Sequence, residues 1–258
     1  MRKDPDILNS ISSLLSKEPG FVILNNKKIE NILENLSNTG ARCVSCASKG
    51  TNAGIKFVHE IITDLEYAIT NFKKTPGFDK LITEMAASAE KADGGSFLIQ
   101  VLKAKGDEFV GNIREFESFY LSGARFEADI ALNSGKLMEF KSFAKNTWQN
   151  FGDESSLNQL KAYLKSGNKF EYIANKTKLL NDGITDPLKF TKQQFQRVFK
   201  NNVEEIFNII WENQILRERF WPSLPLNLTS QVKFKYKKDF SGIIADVNNQ
   251  FYSLIKVE

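Results

Sequence analysis

The chain has 258 residues, of which 41% are hydrophobic and 26% are charged. This composition is typical of a soluble globular protein with one large domain or two modest ones. No run of about 20 apolar residues is present, so no membrane-spanning segment is predicted, and the N-terminus lacks the apolar stretch of a signal peptide.

The net charge of +4 is unevenly distributed along the chain. Residues 1–93 contain 12 basic and 12 acidic residues, whereas residues 94–258 contain 23 and 19, so the whole excess lies in the second part. A basic excess favours binding to a polyanion such as a nucleic acid, but an excess of this size does not identify such a partner by itself.

The first 93 residues are predicted to be helical. Apolar residues repeat at helical spacing between Ile29 and Leu36, with Gly40 as the stop, and again between Phe57 and Phe72. Thr75-Pro76-Gly77 ends the second helix, and a third helix is predicted from Phe78 to about Lys91.

Two segments interrupt this helical pattern. Residues 40–54 are rich in Gly, Ser, Cys and Asn and predict a loop, and Asp93-Gly94-Gly95 predicts a domain boundary. The sequence therefore divides into a helical lead-in or spacer, residues 1–93, and a second domain, residues 94–258.

The loop contains both cysteines, Cys43 and Cys46, and the single histidine, His59, follows it. A structural zinc site needs about four ligands, so the pair favours two ordinary thiols over a disulfide or redox pair, with zinc the least favoured. His59 lacks a second histidine at helical spacing, which favours a surface or packing role over catalysis.

After Gly95 the pattern changes to alternating helices and strands, which predicts an α+β (α/β-like) fold with helices flanking a mixed sheet. A long helix over residues 191–217 has Thr191 as its N-cap, and the Lys-aromatic alternation of residues 231–240 predicts an edge strand. Lysines on that strand would protect the edge from aggregation, and the alternative is that they follow a nucleic-acid backbone. The other predicted elements are a buried helix over 96–105 (with a strand as the alternative), strands over 113–121, 126–132 and 137–143, a helix over 155–165 closed by Gly167, and a short strand over 170–173.

One stretch points to a specific chemistry. Asp129 lies in a run of period-two alternation, a turn follows at Asn133-Ser134-Gly135, and the next strand carries Glu139 and Lys141. Residues two apart on a strand share a face, so Glu139 and Lys141 point the same way and the residue between them points into a core. The turn would lay the Asp129 strand beside them.

This combination suits hydrolysis of a phosphodiester bond. Two carboxylates, Asp129 and Glu139, are ligands that Mg²⁺ prefers, and the metal supplies charge neutralisation and an activated water. Lys141 would place a positive charge where negative charge develops in the transition state. Glu-x-Lys alone is common on exposed strands, and it is the surrounding hairpin that raises the weight of the prediction.

With these motifs, residues 95–240 resemble the PD-(D/E)xK phosphodiesterase superfamily, which has a restriction-endonuclease-like fold. The resemblance implies that Asp129 and Glu139 hold Mg²⁺ or Mn²⁺, that Lys141 is catalytic, and that Gln159 on the following helix completes the site. The family frequently has a further acidic ligand upstream, for which Glu117 and Glu108 are both candidates.

A second resemblance concerns residues 57–84, which are similar to the helical spacer that precedes variable toxin domains in large secreted bacterial polymorphic toxins. It implies a fragment of a longer chain that a bacterium secretes or delivers into the cytoplasm of a target cell. It also implies a dedicated immunity protein as a partner.

Together these observations predict a Mg²⁺-dependent nuclease that acts on nucleic acid, DNA more than RNA, as a bacterial toxin effector domain. An RNA- or tRNA-cleaving toxin on the same fold is one alternative. A binding module that keeps the fold without catalysis is the other.

Overall fold

The structure, a computed structural model, describes residues 5–41, 51–119, 126–225 and 227–258. It is α+β with a five-stranded mixed sheet, which confirms the predicted class. The chain forms two compact units: the N-terminal unit comprises Met1–Ser118 with Ile130–Ser134, and the C-terminal unit comprises Phe119–Asp129 with Gly135–Glu258. Within the described ranges, no helix is long and apolar enough to cross a membrane.

The N-terminal unit is built mainly from helices. Helix α2 packs against α3, α4 and α5, and its predicted apolar stripe is confirmed, since Ile32 and Leu36 are fully buried. Helix α3 contributes Leu65 and Ile69 to the same core, in agreement with its predicted stripe. The helices before the first strand are α1 (Pro5–Lys17), α2 (Pro19–Ala41), α3 (Thr51–Phe72), α4 (Phe78–Ala87), α5 (Ala89–Ala104) and α6 (Gly106–Phe109).

The predicted loop between α2 and α3 is only partly described. Helix α2 runs to Ala41 and helix α3 already begins at Thr51, so the loop prediction is wrong for residues 40–41 and 51–54. Cys43 and Cys46 lie outside the described residues, and the interpretations of this pair are untested.

The domain boundary predicted at Asp93-Gly94-Gly95 falls inside α5, which runs through these residues. The helix predicted from Phe78 to about Lys91 ends earlier, at Ala87, because Ser88 is non-helical. Oγ of Ser88 accepts a hydrogen bond from the N–H of Lys91 and caps α5. Gly95 serves packing: a Cβ there would lie 2.3 Å from Cγ of Met85 on α4, so glycine lets the two helices approach closely. The helix predicted over 96–105 is confirmed as the second part of α5.

The break predicted at Thr75-Pro76-Gly77 is confirmed, and its geometry requires glycine. Gly77 has φ +78, a left-handed conformation that other residues rarely adopt. A Cβ on Gly77 would also lie 2.0 Å from the carbonyl oxygen of Phe116, because Pro76 accepts a hydrogen bond from the N–H of Phe116 at 2.9 Å.

The sheet has the strand order β1-β2-β3-β4-β5. Strand β3 pairs parallel with β4, with Glu139 opposite Tyr172, and β4 pairs parallel with β5. The sequence predicted the first four strands within a few residues of their ends and missed the short β5. The strands are β1 (Ile113–Phe119), β2 (Glu127–Leu132), β3 (Leu137–Lys141), β4 (Phe170–Ala174) and β5 (Ile255–Val257).

The helices of the C-terminal unit surround an aromatic core. Phe195 lies at its centre, with ring centroids 4.6 Å from Phe151 and 4.9 Å from Tyr172. The predicted helix over 155–165 is confirmed as α8 and ends at Gly167, which has φ +72. The helices are α7 (Lys145–Gln149), α8 (Glu154–Ser166), α9 (Lys176–Asn181), α10 (Pro187–Asn201), α11 (Val203–Glu212), α12 (Gln214–Phe220), α13 (Ser230–Ala245) and a 3₁₀ helix at Gln250–Leu254.

The single long helix predicted over 191–217 is wrong, since α10, α11 and α12 replace it. Asn202 and Asn213 have non-helical backbone angles at the two breaks, and the Asn213 side chain accepts from the N–H of Leu216. Thr191 is not the N-cap but a buried residue inside α10, whose start is capped by Asp186. Asparagine competes with the helix by bonding to nearby backbone groups, which the apolar stripe alone does not reveal.

The edge strand predicted over 231–240 is also wrong, because this segment forms most of α13. Thr229 accepts a hydrogen bond from the N–H of Val232 and caps the helix. Phe240 and Ile244, one helical turn apart, are its buried anchors. Alternation of aromatic and lysine residues indicated a strand, but burial of this i, i+4 pair selects the helix.

Candidate functional site

Strand β3 carries the candidate acid and lysine on one face. Glu139 is only 3% exposed, and its Oε1 forms an ion pair with Nζ of Lys141. Phe140 lies between them and is buried. The two charged side chains meet, as the strand alternation predicted.

The Glu139 carboxylate accepts hydrogen bonds from three side chains. Lys141 and Gln159 donate to Oε1, the amide of Gln159 from 3.0 Å, and the hydroxyl of Tyr163 donates to Oε2. A carboxylate in the interior is strongly destabilising unless it is paired and hydrogen-bonded. These three donors explain how Glu139 can be buried with a negative charge.

Lys141 is held from two sides. Its ammonium group bonds Glu139 and lies 5.4 Å from the ring centroid of Phe143, within the range of a cation–π interaction. The side chain is 15% exposed, so its charge is largely withdrawn from water. A positive charge in this position interacts more strongly with a nearby anion than a lysine on the open surface does.

Asp129, on the neighbouring strand β2, is hydrogen-bonded to β3. Its Oδ2 accepts the backbone N–H of Phe140 at 2.6 Å, so the second candidate carboxylate is fixed beside the residue that follows Glu139. Asp129 itself is half-buried. The structure therefore brings Asp129, Glu139, Lys141 and Gln159 together around β3.

Helix α8 presents Gln159 and Tyr163 to Glu139 from one face, since the two residues are one turn apart. The helix is started by Asp153, whose Oδ1 accepts the N–H of Ser156 at 2.8 Å. The hydrogen bonds from Ser156 hold the pKa of Asp153 below its ordinary value. The ring of Tyr163 stacks on Phe170 of β4 at a centroid distance of 5.4 Å, which fixes the helix over the sheet.

Tyr163 is the site residue that the sequence prediction missed. It is fully buried, and desolvation, followed by the nearby charge of Glu139, raises its pKa well above the ordinary value of 10.0. The hydroxyl therefore stays protonated and can donate to Glu139. Its position four residues after Gln159 was the available signal, because both residues occupy one helical face.

The candidates for an additional acid belong to the N-terminal unit. Glu117 lies in β1 and is half-buried. Its φ is +48, and in the described part of the chain it is the non-glycine residue with a positive φ. Glu108 lies exposed in α6. The assignment of either as a metal ligand stays a prediction.

The residues present offer a divalent cation two carboxylates. No group of three or more His, Cys, Asp and Glu residues suited to a metal occurs in the described segments. Mg²⁺ commonly binds proteins through one or two carboxylates and keeps several waters, so Asp129 and Glu139 fit this donor chemistry. The three donors already on Glu139 would compete with a cation for its oxygens.

His59 lies exposed on α3 of the N-terminal unit, in agreement with the favoured surface role.

Comparison with protein-family models, with curated proteins and with solved structures finds no match to this chain.

Proposed function

We propose that the chain is a Mg²⁺- or Mn²⁺-dependent nuclease of the PD-(D/E)xK type, with DNA as the preferred substrate. The observation that supports the proposal is the meeting of Asp129, Glu139, Lys141 and Gln159 around β3. These residues come from β2, β3 and α8, and the combination of two carboxylates, an ammonium and an amide matches the needs of phosphodiester hydrolysis.

Each residue has a role that follows from its chemistry. Asp129 and Glu139 would hold the cation, which when bound supplies charge neutralisation and a more acidic water. Lys141 would stabilise negative charge on the phosphoryl oxygens, in a setting that is 15% exposed and therefore poorly screened. Gln159 would orient Glu139 and a substrate or water molecule through its amide.

Tyr163 would act as a positioning residue. Its hydroxyl holds Oε2 of Glu139 while Lys141 and Gln159 bond Oε1, so the carboxylate plane is fixed. A fixed carboxylate loses less entropy on binding a cation or substrate, which is how a supporting shell of hydrogen bonds assists a site.

The same contacts favour a second function, a binding module without catalysis. The Glu139 carboxylate is already satisfied by three donors, as expected for a buried ion pair that only stabilises the fold. Calorimetric titration with Mn²⁺ separates the two, because the nuclease proposal requires binding that is lost in Glu139→Gln.

The nuclease proposal is tested with supercoiled plasmid and with total RNA, each incubated with the full chain and Mg²⁺, Mn²⁺ or EDTA. Glu139→Gln keeps the size of the side chain and removes its charge, and it should lower the cleavage rate at least about 100-fold. Lys141→Ala should do the same. Cleavage that persists in EDTA or in purified Glu139→Gln would refute the assignment, and faster cleavage of RNA than of plasmid would identify the RNA-cleaving alternative.

A matched control for Glu139→Gln is Glu171→Gln on β4. Glu171 is paired in register with Met138, so it lies on the opposite face of the sheet from Glu139, and it forms an ion pair with Lys136 at 2.7 Å. This variant removes the same charge from the same sheet. Its cleavage rate should match that of the unmodified protein.

We also propose that the nuclease is a toxin effector with a cognate immunity protein. Residues 57–84, which support this proposal by their resemblance to a toxin spacer, lie in α3, the turn at Gly77 and α4 of the N-terminal unit. Induced expression in a bacterium should arrest growth, whereas bacteria that express Glu139→Gln should grow normally. If the two proteins were equally toxic, the toxicity would not depend on the proposed site.

A further inference from the structure

Helix α13 has one side that belongs to the core of the C-terminal unit. Phe240 and Ile244 are buried, and the ring of Tyr236 lies 5.5 Å from Trp221 and 6.0 Å from Trp211. This side attaches the helix to the core. The rest of the helix carries four lysines and one aspartate, a net charge of +3.

The four lysines divide into two pairs. Lys237 forms an ion pair with Glu204 of α11 at 2.8 Å. The hydrogen bond from Lys237, followed by the charges of Lys237 and Lys233, lowers the pKa of Glu204. This pair is therefore partly neutralised within the fold. Lys235 and Lys238 are both exposed and lie on the other side of the helix.

The second pair surrounds an exposed aromatic ring. Phe234 is 72% exposed, and Gln231, Phe234, Lys235 and Lys238 follow the i, i+3, i+4, i+7 spacing of one helical face. We call these four residues the Phe234 face. It combines a planar apolar surface with two cations and an amide.

We propose that the Phe234 face binds a single-stranded segment of nucleic acid, with a base stacked on Phe234 and phosphates on Lys235 and Lys238. The proposal rests on the proposed nuclease function, since it names the form of the substrate. Aromatic rings beside basic residues are how proteins hold single strands without reading their sequence. Splayed bases present the flat surface that such a ring can cover, whereas bases inside a duplex do not.

The size of the apolar surface favours nucleic acid over a protein partner. A protein interface buries about 800 Å² on each side and has an apolar core of several residues. One phenylalanine ring buries roughly 150–250 Å², which is enough for one stacked base but not for such a core. The charge of the Phe234 face is positive, as a phosphate backbone requires.

The test is fluorescence anisotropy of a labelled oligo(dT) with the full chain in EDTA, which prevents metal-dependent cleavage. Phe234→Leu keeps the apolar character but removes the ring, and it should weaken binding about tenfold, whereas Phe234→Trp should bind at least as tightly as the unmodified protein. Inorganic polyphosphate, which has no bases, should bind both variants with the same affinity when it is measured by competition.

Charge is tested through the salt dependence of the same binding. The plot of log affinity against log salt has a negative slope. Replacing Lys235 and Lys238 by Gln should make this slope less steep by about 1.4, since each phosphate contact to a single strand contributes about 0.7. Replacing Lys233 and Lys237 removes equal charge from the same helix and is the matched control, with a clearly smaller expected change.

Three outcomes would overturn the proposal: Phe234→Leu binding as tightly as the unmodified protein, equal effects of the two lysine pairs, or binding of polyglutamate in place of oligo(dT). The last would assign the Phe234 face to an acidic protein. Binding in EDTA is read without catalysis. A chain that binds oligo(dT) through Phe234 but, with Mg²⁺ or Mn²⁺, cleaves neither plasmid, single-stranded DNA nor RNA would refute the nuclease and the substrate role, and would keep only the binding of single strands by the Phe234 face.

Discussion

The hydroxyl of Tyr163 offers a direct measure of what holds Glu139 in the interior. Tyr163→Phe removes the donor to Oε2 and keeps the ring, so its stacking on Phe170 should survive. A hydrogen bond to a charged group contributes about 1.5–3 kcal/mol, and we expect the unfolding free energy of the C-terminal unit to fall by about 2 kcal/mol.

Urea unfolding followed by tryptophan fluorescence measures this change in the relevant unit. The three tryptophans of the chain, Trp148, Trp211 and Trp221, all lie in the C-terminal unit. With a denaturant slope of about 2 kcal/mol per M, a loss of about 2 kcal/mol lowers the midpoint by about 1 M urea.

Tyr252→Phe is the matched control for this measurement. Tyr252 is equally buried, but its hydroxyl donates to a neutral acceptor, the carbonyl oxygen of Ile244, at 2.8 Å. Loss of a bond to a neutral group lowers stability by about 1 kcal/mol. A Tyr163→Phe change no larger than that of Tyr252→Phe would show that the Glu139 carboxylate does not depend on this donor, and would refute the positioning role.

The effect of Tyr163 also has a predicted pH dependence. Its pKa is raised in the folded protein, mainly by desolvation, so its contribution is fully present below the unfolded value of 10.0 and is lost as the pH rises above it. The difference in unfolding free energy between the unmodified protein and Tyr163→Phe should therefore be constant near neutrality and narrow above pH 10.0. A constant difference through the alkaline range would contradict the assigned cause.

The remaining predictions concern a turn and a helix cap. Gly77→Ala should lower thermal stability by several kcal/mol, since its Cβ would clash with Phe116. Gly111 has the same φ of +78 but no atom within 4 Å of an added Cβ, so Gly111→Ala should lower stability by only about 1–2 kcal/mol. Equal melting temperatures of the two variants would contradict the clash. Asp153→Ala should lower the urea midpoint at pH 7 through about 1 kcal/mol of lost capping, and Asp153→Asn should not. Because the pKa of Asp153 is depressed below 3.8, its charge-dependent share is lost as the pH falls through the folded value, so Asp153→Asn should show a weaker loss of stability in acid than the unmodified protein.

The fold was predictable where hydrophobic spacing and tertiary packing agree. The stripes of α2 and α3 face one core, and the alternation of β2 matches a strand with buried Ala128 and Ile130. Prediction failed where packing decided between two local possibilities. The two glycines at 94 and 95 indicated a domain boundary, yet α5 continues through them, and Gly95 allows close contact with Met85.

The site divides in the same way. Strand alternation placed Glu139 and Lys141 on one face, and the turn placed Asp129 near them, because both inferences depend only on backbone geometry. The roles of Tyr163 and the burial of Glu139 depend on where α8 crosses the sheet, which is set by contacts such as that with Phe170. Such long-range packing leaves no local pattern in the sequence.

The charge balance of the cluster bears on which function it serves. Glu139 and Lys141 alone form a neutral pair, as a purely structural contact would require. Asp129 adds a second carboxylate beside Phe140, with its Oδ2 bonded by the backbone N–H of that residue. A cation bound between two carboxylates offsets their repulsion, so a second acid near Glu139 is what the proposed metal-dependent nuclease would need.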